Sequence, residues 1–225
     1  MKINKFFANL EYGTASESTG AAEQWLAKKN HKLNHYIDGA WVGPSSAQYI
    51  DTFNSADTPV LARVADGTAK DTDRAVAAAK DAQATWADLG EQGRENHLFA
   101  IGRKVQERGR VFSGLESMDR GDSISPTGVT AIPAGAAGVI AQIIPPNTTF
   151  LMTVGNFAAA LAAGNTVVLK PAGFSSCTAV LLAQCCHETG LPRGVFNLLL
   201  GFDKAEKCLL EHPDVKICDH PDSSY

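Results

Sequence analysis

The sequence predicts an α/β fold built on a partial, doubly wound parallel sheet, which is preceded by a hairpin and a helical segment. Between residues 138 and 218, short apolar runs alternate with stretches of helix-forming residues. Glycine and proline separate these runs, and polar side chains follow the ends of the apolar ones. An open α/β sheet binds its ligand beyond the carboxyl ends of its strands, so the same pattern predicts where a ligand site lies.

The first predicted strand covers residues 139–144 and is ended by a proline pair, which cannot continue a hydrogen-bonded ladder. Asn147 stands just beyond its carboxyl end. Residues 150–163 then carry helix formers with one apolar face, and Gly164 ends that helix. A buried strand followed by a helix is the first half of a parallel crossover unit.

The second predicted strand covers residues 166–169 and delivers Lys170 to the same edge of the sheet. We expect the next helix to begin near Ser175 or Ser176, because either hydroxyl can accept from the free N–H groups of a helix start. Gly190 is expected to end this helix.

The third predicted strand covers residues 195–200 and ends at Gly201. A short helix over 204–211, with Asp203 as its predicted cap, leads to a fourth strand at 215–218. Helical connections between successive strands predict parallel pairing and right-handed crossovers.

The first half of the chain predicts a hairpin and three helices. An Asp-Gly pair between apolar runs at 36–42 favours a two-residue turn. Thr68 and Asp71 have the spacing of a capping box, which begins an amphipathic helix over 68–86. Further helical pieces are predicted at 91–107 and 111–118.

These elements divide the chain into three parts. Residues 1–118 hold an N-terminal extension, the hairpin and the helices. Residues 119–137 form a connector rich in glycine, serine, proline and alanine, and residues 138–225 hold the strand–helix–strand units.

The second half resembles the cofactor domain of the NAD(P)-dependent aldehyde dehydrogenases, and the resemblance implies a Rossmann-like sheet of that type. Several ordered blocks carry it at the family's spacing. They lie at Gly138, 142–145, Asn147, 160–162, 164–168, 170–172, 190–192, 194–195, Asn197, Gly201 and 212–213.

The first half carries further resemblances to the same family. The segment YIDGAWV at 36–42 is similar to the family's opening hairpin YINGxWV, and LESM at 115–118 is similar to the start of LExxDxGK. The segment FFANLEYG at 6–13 resembles the start of aldehyde dehydrogenase family 16, a branch with a duplicated and partly degenerate domain.

The resemblance implies roles for six residues. Asn147 matches the asparagine whose amide donates to the oxyanion formed from the aldehyde, and without the resemblance it is a turn asparagine. Lys170 matches the lysine that binds the adenosine ribose, and its alternative is a solvated lysine at a strand end. The backbone of Ile143, Ile144 and Pro145 is implied to line the nicotinamide. Gly201 is likewise implied to belong to the cofactor site.

Several departures predict weakened binding of NAD (or NADP). Gly173 stands where the family has a glutamate that accepts from the ribose hydroxyls, and Pro146 replaces a tryptophan. Asp203 stands where a second glycine often lets the chain approach the pyrophosphate. One charge-assisted contact of about 1.5–3 kcal/mol is therefore missing.

The family's chemistry needs a nucleophilic cysteine and a glutamate that the matched blocks do not contain. The sequence ends at Tyr225, where the family would continue towards both residues, so we expect a fragment that is inactive alone. Cys218, which is close to His220 in the sequence, is the cysteine nearest the predicted cofactor edge. We do not expect it to replace the family's nucleophilic cysteine. The resemblance implies a homo-oligomer whose interface begins in this region of the chain. The 119–137 connector is shorter than in the family, so we do not expect that interface to be complete.

Composition excludes other function classes. The net charge is −4 with no basic stripe, so we expect no nucleic-acid partner. No run of apolar residues reaches membrane-spanning length, and no signal-peptide core is present, so a cytoplasmic location is predicted. The odd number of cysteines without a C-x-x-C motif predicts buried, reduced thiols. His31 and His35 are interpreted as a polar helix face, and no metal site is expected.

Two hypotheses of function remain open at this point. In the first, the chain is part of an oxidoreductase that converts a small-molecule aldehyde to an acid with NAD(P), and activity resides in a longer product. In the second, it is a non-catalytic nucleotide-binding or subunit-interaction module, as a pseudoenzyme or short isoform would be.

Overall fold

The computed structural model describes residues 19–53, 60–120, 136–145 and 150–219, with the side chains of Arg120 and 216–219 left aside. The helices are α1 Gly20–Lys28, α2 Ala69–Asp88, α3 Gly90–Glu107, α4 Gly109–Arg120, α5 Phe150–Ala162, α6 Cys177–Glu188 and α7 Asp203–Leu210. The strands are β1 Lys32–Leu33, β2 His35–Ile37, β3 Ala40–Val42, β4 Tyr49–Phe53, β5 Val60–Ala65, β6 Val139–Ile144, β7 Thr166–Pro171, β8 Phe196–Leu198 and β9 Val215–Asp219.

The main sheet has six strands in the order β3-β2-β8-β7-β6-β9. Strands β8, β7, β6 and β9 run parallel, which confirms the predicted pairing. The chain moves outward from β6 to β7 and β8 and then crosses back to β9 on the other side. The order therefore reverses between β6 and β9, as it does at the ligand-binding crevice of a doubly wound sheet.

Helices cover both faces of this sheet because alternate strand residues are buried on opposite sides. On one face, Ile140 and Val167 join a core with α5 and α6. On the other face, Ala141 and Val168 pack with α2 and α7. The parallel strands are buried on both faces, which explains their continuous apolar runs.

The predicted hairpin is confirmed and is formed by β2 and β3. Its two turn residues, Asp38 and Gly39, have φ of 52° and 73°, the left-handed values that a tight two-residue hairpin turn requires. The sequence did not predict that the hairpin extends the parallel sheet. Tyr36 pairs antiparallel with Leu198, and the Asp38 N–H donates to Asn197 Oδ1 at 2.9 Å.

A second sheet has three strands in the order β1-β5-β4. Strands β4 and β5 are antiparallel, whereas β1 pairs parallel with β5. Helix α1 packs against α4, where Gly114 leaves room for Ala22. None of the described helices is both long enough and apolar enough to cross a membrane.

Several predicted boundaries are corrected. Helix α7 begins at Asp203 itself, so Asp203 lies in the first turn and does not cap the helix. Helix α4 continues to Arg120, two residues into the predicted connector, of which 121–135 lie outside the described residues. The interpretation of His31 and His35 as a helix face is wrong, because His31 lies in a turn and His35 in β2.

Candidate functional site

The carboxyl edge of the parallel strands brings five of the six predicted site residues together. In the β6–β7 register, Ile143 is paired with Lys170 and Ile144 with Pro171, and Pro145 follows directly. Gly201 follows β8 at the same edge. Asn147 lies outside the described residues, so its predicted role stays untested.

Lys170 is buried and is not the solvated strand-end lysine of the alternative interpretation. Its side chain is 4% exposed, and Nζ donates to Glu206 Oε2 at 2.6 Å. Alternation along β7 turns Lys170 towards the face covered by α2 and α7, and Glu206 comes from α7. The ammonium at this edge is therefore held by a carboxylate of the same chain.

The ring of Phe202 occupies the space beside Gly173, where the family pattern has a glutamate. A Cβ at this position would lie 2.5 Å from the ring of Phe202, so the ring occupies the space of any larger side chain there. The same ring meets Phe174 edge-on, with centroids 4.9 Å apart. A glutamate at 173 would require Phe202 to move.

Two acidic side chains of α4 accept hydrogen bonds from backbone N–H groups at the starts of α5 and α6. Glu116 Oε1 accepts from the N–H of Phe150 at 2.8 Å, at the beginning of α5. Asp119 Oδ2 accepts from the N–H of Cys177 at 3.1 Å, at the beginning of α6. Negative charge is stabilised at a helix N-terminus, so the Glu116 contact is favourable. The Asp119 contact satisfies a backbone N–H that would otherwise have no intrahelical partner.

Helix α6 begins directly after Ser176, as predicted, but the Ser176 hydroxyl accepts no hydrogen bond from the helix start. Ser176 Oγ instead donates to the carbonyl oxygens of Ala172 and Gly173, both at 3.2 Å. The acceptor at this helix start is the Asp119 side chain of α4, which lies 58 residues earlier in the chain. The family-like block LESM, together with Asp119, thus has a structural role as a double cap.

Asp119 is buried at this position. Its pKa is raised to about 7, chiefly by burial and to a smaller extent by nearby Glu116, while the hydrogen bonds from Cys177 act in the opposite direction. The cavity bordered by Glu116, Asp119, Ile144 and Pro171 has a volume of only about 20 Å³. That is space for about one water molecule.

A buried histidine fixes the end of β8, and the sequence analysis missed it. His35 Nδ1 accepts from the N–H of Leu200 at 3.0 Å, which leaves the proton on Nε2, 3.9 Å from Asp71 Oδ2. Burial lowers the pKa of His35 to about 4 in spite of the nearby carboxylate. Neutral His35 therefore positions the backbone next to Gly201.

Asp71 completes this cluster and confirms the predicted capping box. Its carboxylate accepts from the backbone N–H and the hydroxyl of Thr68 and from those of Ser45. Burial alone would raise the pKa of Asp71, but these hydrogen bonds outweigh it and hold the pKa below its usual value.

The three buried cysteines are not activated thiols. Cys177, Cys185 and Cys186 are buried and unpaired, which agrees with the predicted reduced thiols. Burial raises the pKa of Cys185 to about 11 and the pKa of the other two well above the ordinary value. Within the described ranges, no group of His, Cys, Asp and Glu could hold a metal ion.

A wider groove of about 570 Å³ lies elsewhere, at the amino end of β8 and along α2. It is bordered by Arg74, Asp81, Pro192 and Arg193 and contains none of the predicted site residues. Its volume would suit a ligand, but its charged groups are exposed and Arg193 is already paired with Asp38 at 2.6 Å. We therefore take the carboxyl edge as the candidate site.

Comparisons with known proteins agree with this fold. The model of the aldehyde dehydrogenase family matches residues 41–134 and 127–219. The betaine aldehyde dehydrogenase of Rhizobium etli is 33% identical in a 220-residue alignment that covers 84% of this chain and 45% of that protein. Malonate-semialdehyde dehydrogenase 1 of Geobacillus thermodenitrificans is 33% identical in a 216-residue alignment that covers 82% of this chain and 45% of that protein.

A solved structure supports the same assignment. Aldehyde Dehydrogenase C from Pseudomonas syringae, crystallised as a mutant with NAD+ and octanal, superposes with a TM-score of 0.76 and 32% identity. The match covers 83% of this chain and 44% of that one.

The chain belongs to the aldehyde dehydrogenase family and corresponds to the N-terminal portion of its members. It spans about 45% of the length of the curated relatives it matches. The closer resemblance to family 16 is not confirmed, and residues 6–13, which carry it, lie outside the described residues.

Proposed function

We propose that this chain is the cofactor-domain portion of an enzyme that oxidises an aldehyde to a carboxylic acid with NAD(P). The observation that carries the proposal is the parallel β8-β7-β6-β9 order, with Lys170 and Gly201 at its carboxyl edge. It is supported by a relative of 32% identity that holds NAD+ and octanal. We propose weakened cofactor binding for this chain and an oxyanion-binding role for the Asn147 amide.

The aldehyde itself is proposed only as a chemical class. The three relatives are named for, or hold, betaine aldehyde, malonate semialdehyde and octanal, which differ in charge and length. A cytoplasmic location is also part of the proposal, supported by the unpaired buried thiols at 177, 185 and 186.

We further propose that the chain does not turn over aldehyde by itself. Attack on an aldehyde needs a thiolate, and burial keeps Cys177, Cys185 and Cys186 protonated at neutral pH. The chain alone would then act only as a nucleotide-binding or subunit-interaction module, which is the second candidate.

The purified chain is expected to form no NADH when mixed with NAD and betaine aldehyde, malonate semialdehyde or octanal, because attack needs a thiolate and burial keeps the thiols at 177, 185 and 186 protonated. Absorbance of NADH over time measures this. Turnover that is lost in Cys218→Ser but kept in Cys208→Ser would contradict the proposal, because it would identify Cys218 as a nucleophile.

A further inference from the structure

We propose that the carboxyl edge is closed by the chain's own residues, with Glu206 acting as an internal competitor for Lys170. The adenosine half of a dinucleotide then reaches Lys170 only when the Glu206 contact opens. This inference rests on the proposed function, because the family resemblance places the adenosine ribose at Lys170. In the described conformation the edge does not fit a dinucleotide.

The ion pair is the first reason. Lys170 and Glu206 have side chains only 4% and 28% exposed, and their polar atoms are 2.6 Å apart. A carboxylate is a stronger partner for a buried ammonium than a neutral ribose hydroxyl, because the attraction between opposite charges adds to the hydrogen bond. A nucleoside that replaces Glu206 therefore exchanges a stronger contact for a weaker one.

The second reason is steric. Phe202 lies over Gly173, within 2.6 Å of where a side-chain carbon would stand, and Phe174 closes against the same ring. Phe202 directly precedes α7, which also carries Glu206. The ring and the carboxylate thus come from one short segment and would have to move together.

The third reason is that acidic side chains already occupy the helix starts at this edge and that the cavity beside them is small. The starts of α5 and α6 already hold Glu116 and Asp119, and the first turn of α7 contains Asp203 and Glu206. An anionic pyrophosphate binds well at a helix start only where the N–H groups are free. The cavity beside Glu116 and Asp119 has a volume of about 20 Å³. Ligand pockets usually measure about 300–1,000 Å³.

The test is equilibrium binding of NAD and of uncharged adenosine to the full chain by calorimetry. Glu206→Gln removes the competing charge and keeps the side-chain size. Glu211→Gln is the matched control, because it removes the same charge from the exposed end of the same helix, where its oxygen is 4.0 Å from Lys207. Adenosine carries no charge, so a change in its binding reports the release of Lys170. Binding of NAD, in contrast, also responds to any change in the net charge of the protein.

Glu206→Gln is expected to lower the dissociation constant of both ligands at least tenfold, which corresponds to about 1.4 kcal/mol. Glu211→Gln is expected to change either constant less than about twofold, as is usual for exposed charges. Phe202→Ala is a second, independent variant and is expected to tighten adenosine binding as well. Circular dichroism confirms that each variant is folded.

The outcomes separate the two proposals. If the unchanged chain binds NAD and adenosine as tightly as Glu206→Gln and Phe202→Ala do, the inference is overturned and the proposed cofactor role stands. If no variant binds either ligand, the proposed cofactor role fails together with the inference. If Glu211→Gln tightens NAD binding as much as Glu206→Gln does, the effect is one of net charge and the inference is overturned.

Discussion

Trp86→Ala is expected to lower the free energy of unfolding by about 3–5 kcal/mol, the usual cost of deleting a large buried aromatic side chain. Trp86 is 1% exposed on α2, and its Nε1–H donates to the carbonyl oxygen of Leu161 at 3.0 Å. The ring joins the N-terminal helices to the end of α5, next to the first crossover of the parallel sheet. Its loss leaves both a cavity and a buried carbonyl without its donor.

Two controls separate packing from hydrogen bonding in this experiment. Trp86→Phe keeps most of the volume and is expected to cost less than the alanine variant. Phe99→Ala removes an aromatic ring that is 70% exposed on α3 and should change stability by no more than about 0.5 kcal/mol. Chemical denaturation measures all three, and similar effects for Trp86→Ala and Phe99→Ala would contradict the described core.

Asp119→Ala and Asp119→Asn are expected to differ strongly. Alanine removes the acceptor that holds the Cys177 N–H at the start of α6, and loss of such a cap costs about 0.5–2 kcal/mol, to which an enclosed cavity adds. Asparagine keeps an acceptor oxygen and the side-chain size. We therefore expect Asp119→Asn to unfold at a higher denaturant concentration than Asp119→Ala at every pH.

The difference in stability between Asp119→Asn and the unchanged chain is expected to depend on pH. Burial raises the pKa of Asp119 from 3.8 to about 7, so between these values the folded chain keeps a proton that the unfolded chain has lost. Stability from this group is therefore complete below the unfolded pKa and falls as the pH rises towards 7, by up to about 1.4 kcal/mol per pH unit. Asparagine does not titrate, so Asp119→Asn should gain on the unchanged chain across this range.

Denaturation series at several pH values measure this gain. His35, whose pKa burial lowers to about 4, acts in the opposite direction, but it is present in both chains and cancels in the difference. A stability difference between Asp119→Asn and the unchanged chain that stays constant from pH 4 to pH 8 would contradict the buried, protonated Asp119.

The strand and helix pattern could be predicted because its signals are local. Proline and glycine end the elements around β6 and β7, and burial on both faces makes the parallel strands mainly apolar. The Thr68 and Asp71 capping box is also a short-range signal, and it is confirmed with both of its hydrogen bonds.

The candidate site was predicted in position but not in its contacts. The carboxyl ends of parallel strands necessarily meet at one edge, so Lys170 and Gly201 could be assigned to it from topology alone. The partner of Lys170 is 36 residues away, and the cap of α6 comes from 58 residues away. Pairs that are distant in the chain leave no local pattern, so the sequence indicated the neighbouring Ser175 or Ser176 as the cap.

His35 shows the same difficulty in another form. Its spacing from His31 suggested one helix face, but the chain turns between them, with His31 at a φ of 51°. The buried ring is held by Leu200, 165 residues later. Only the packing of β2 beside β8 brings these groups together, and the sequence carries no short-range signal for it.

The central claim is that nucleotide binds at the carboxyl edge of the parallel sheet. The most direct measurement is a two-dimensional amide NMR titration of the full chain with NAD. The account predicts small, saturable shifts centred on the ends of β6, β7 and β8, at Ile144, Lys170 and Gly201. Shifts confined to the groove along α2, at Asp81 and Arg193, or no shifts at any NAD concentration, would contradict it.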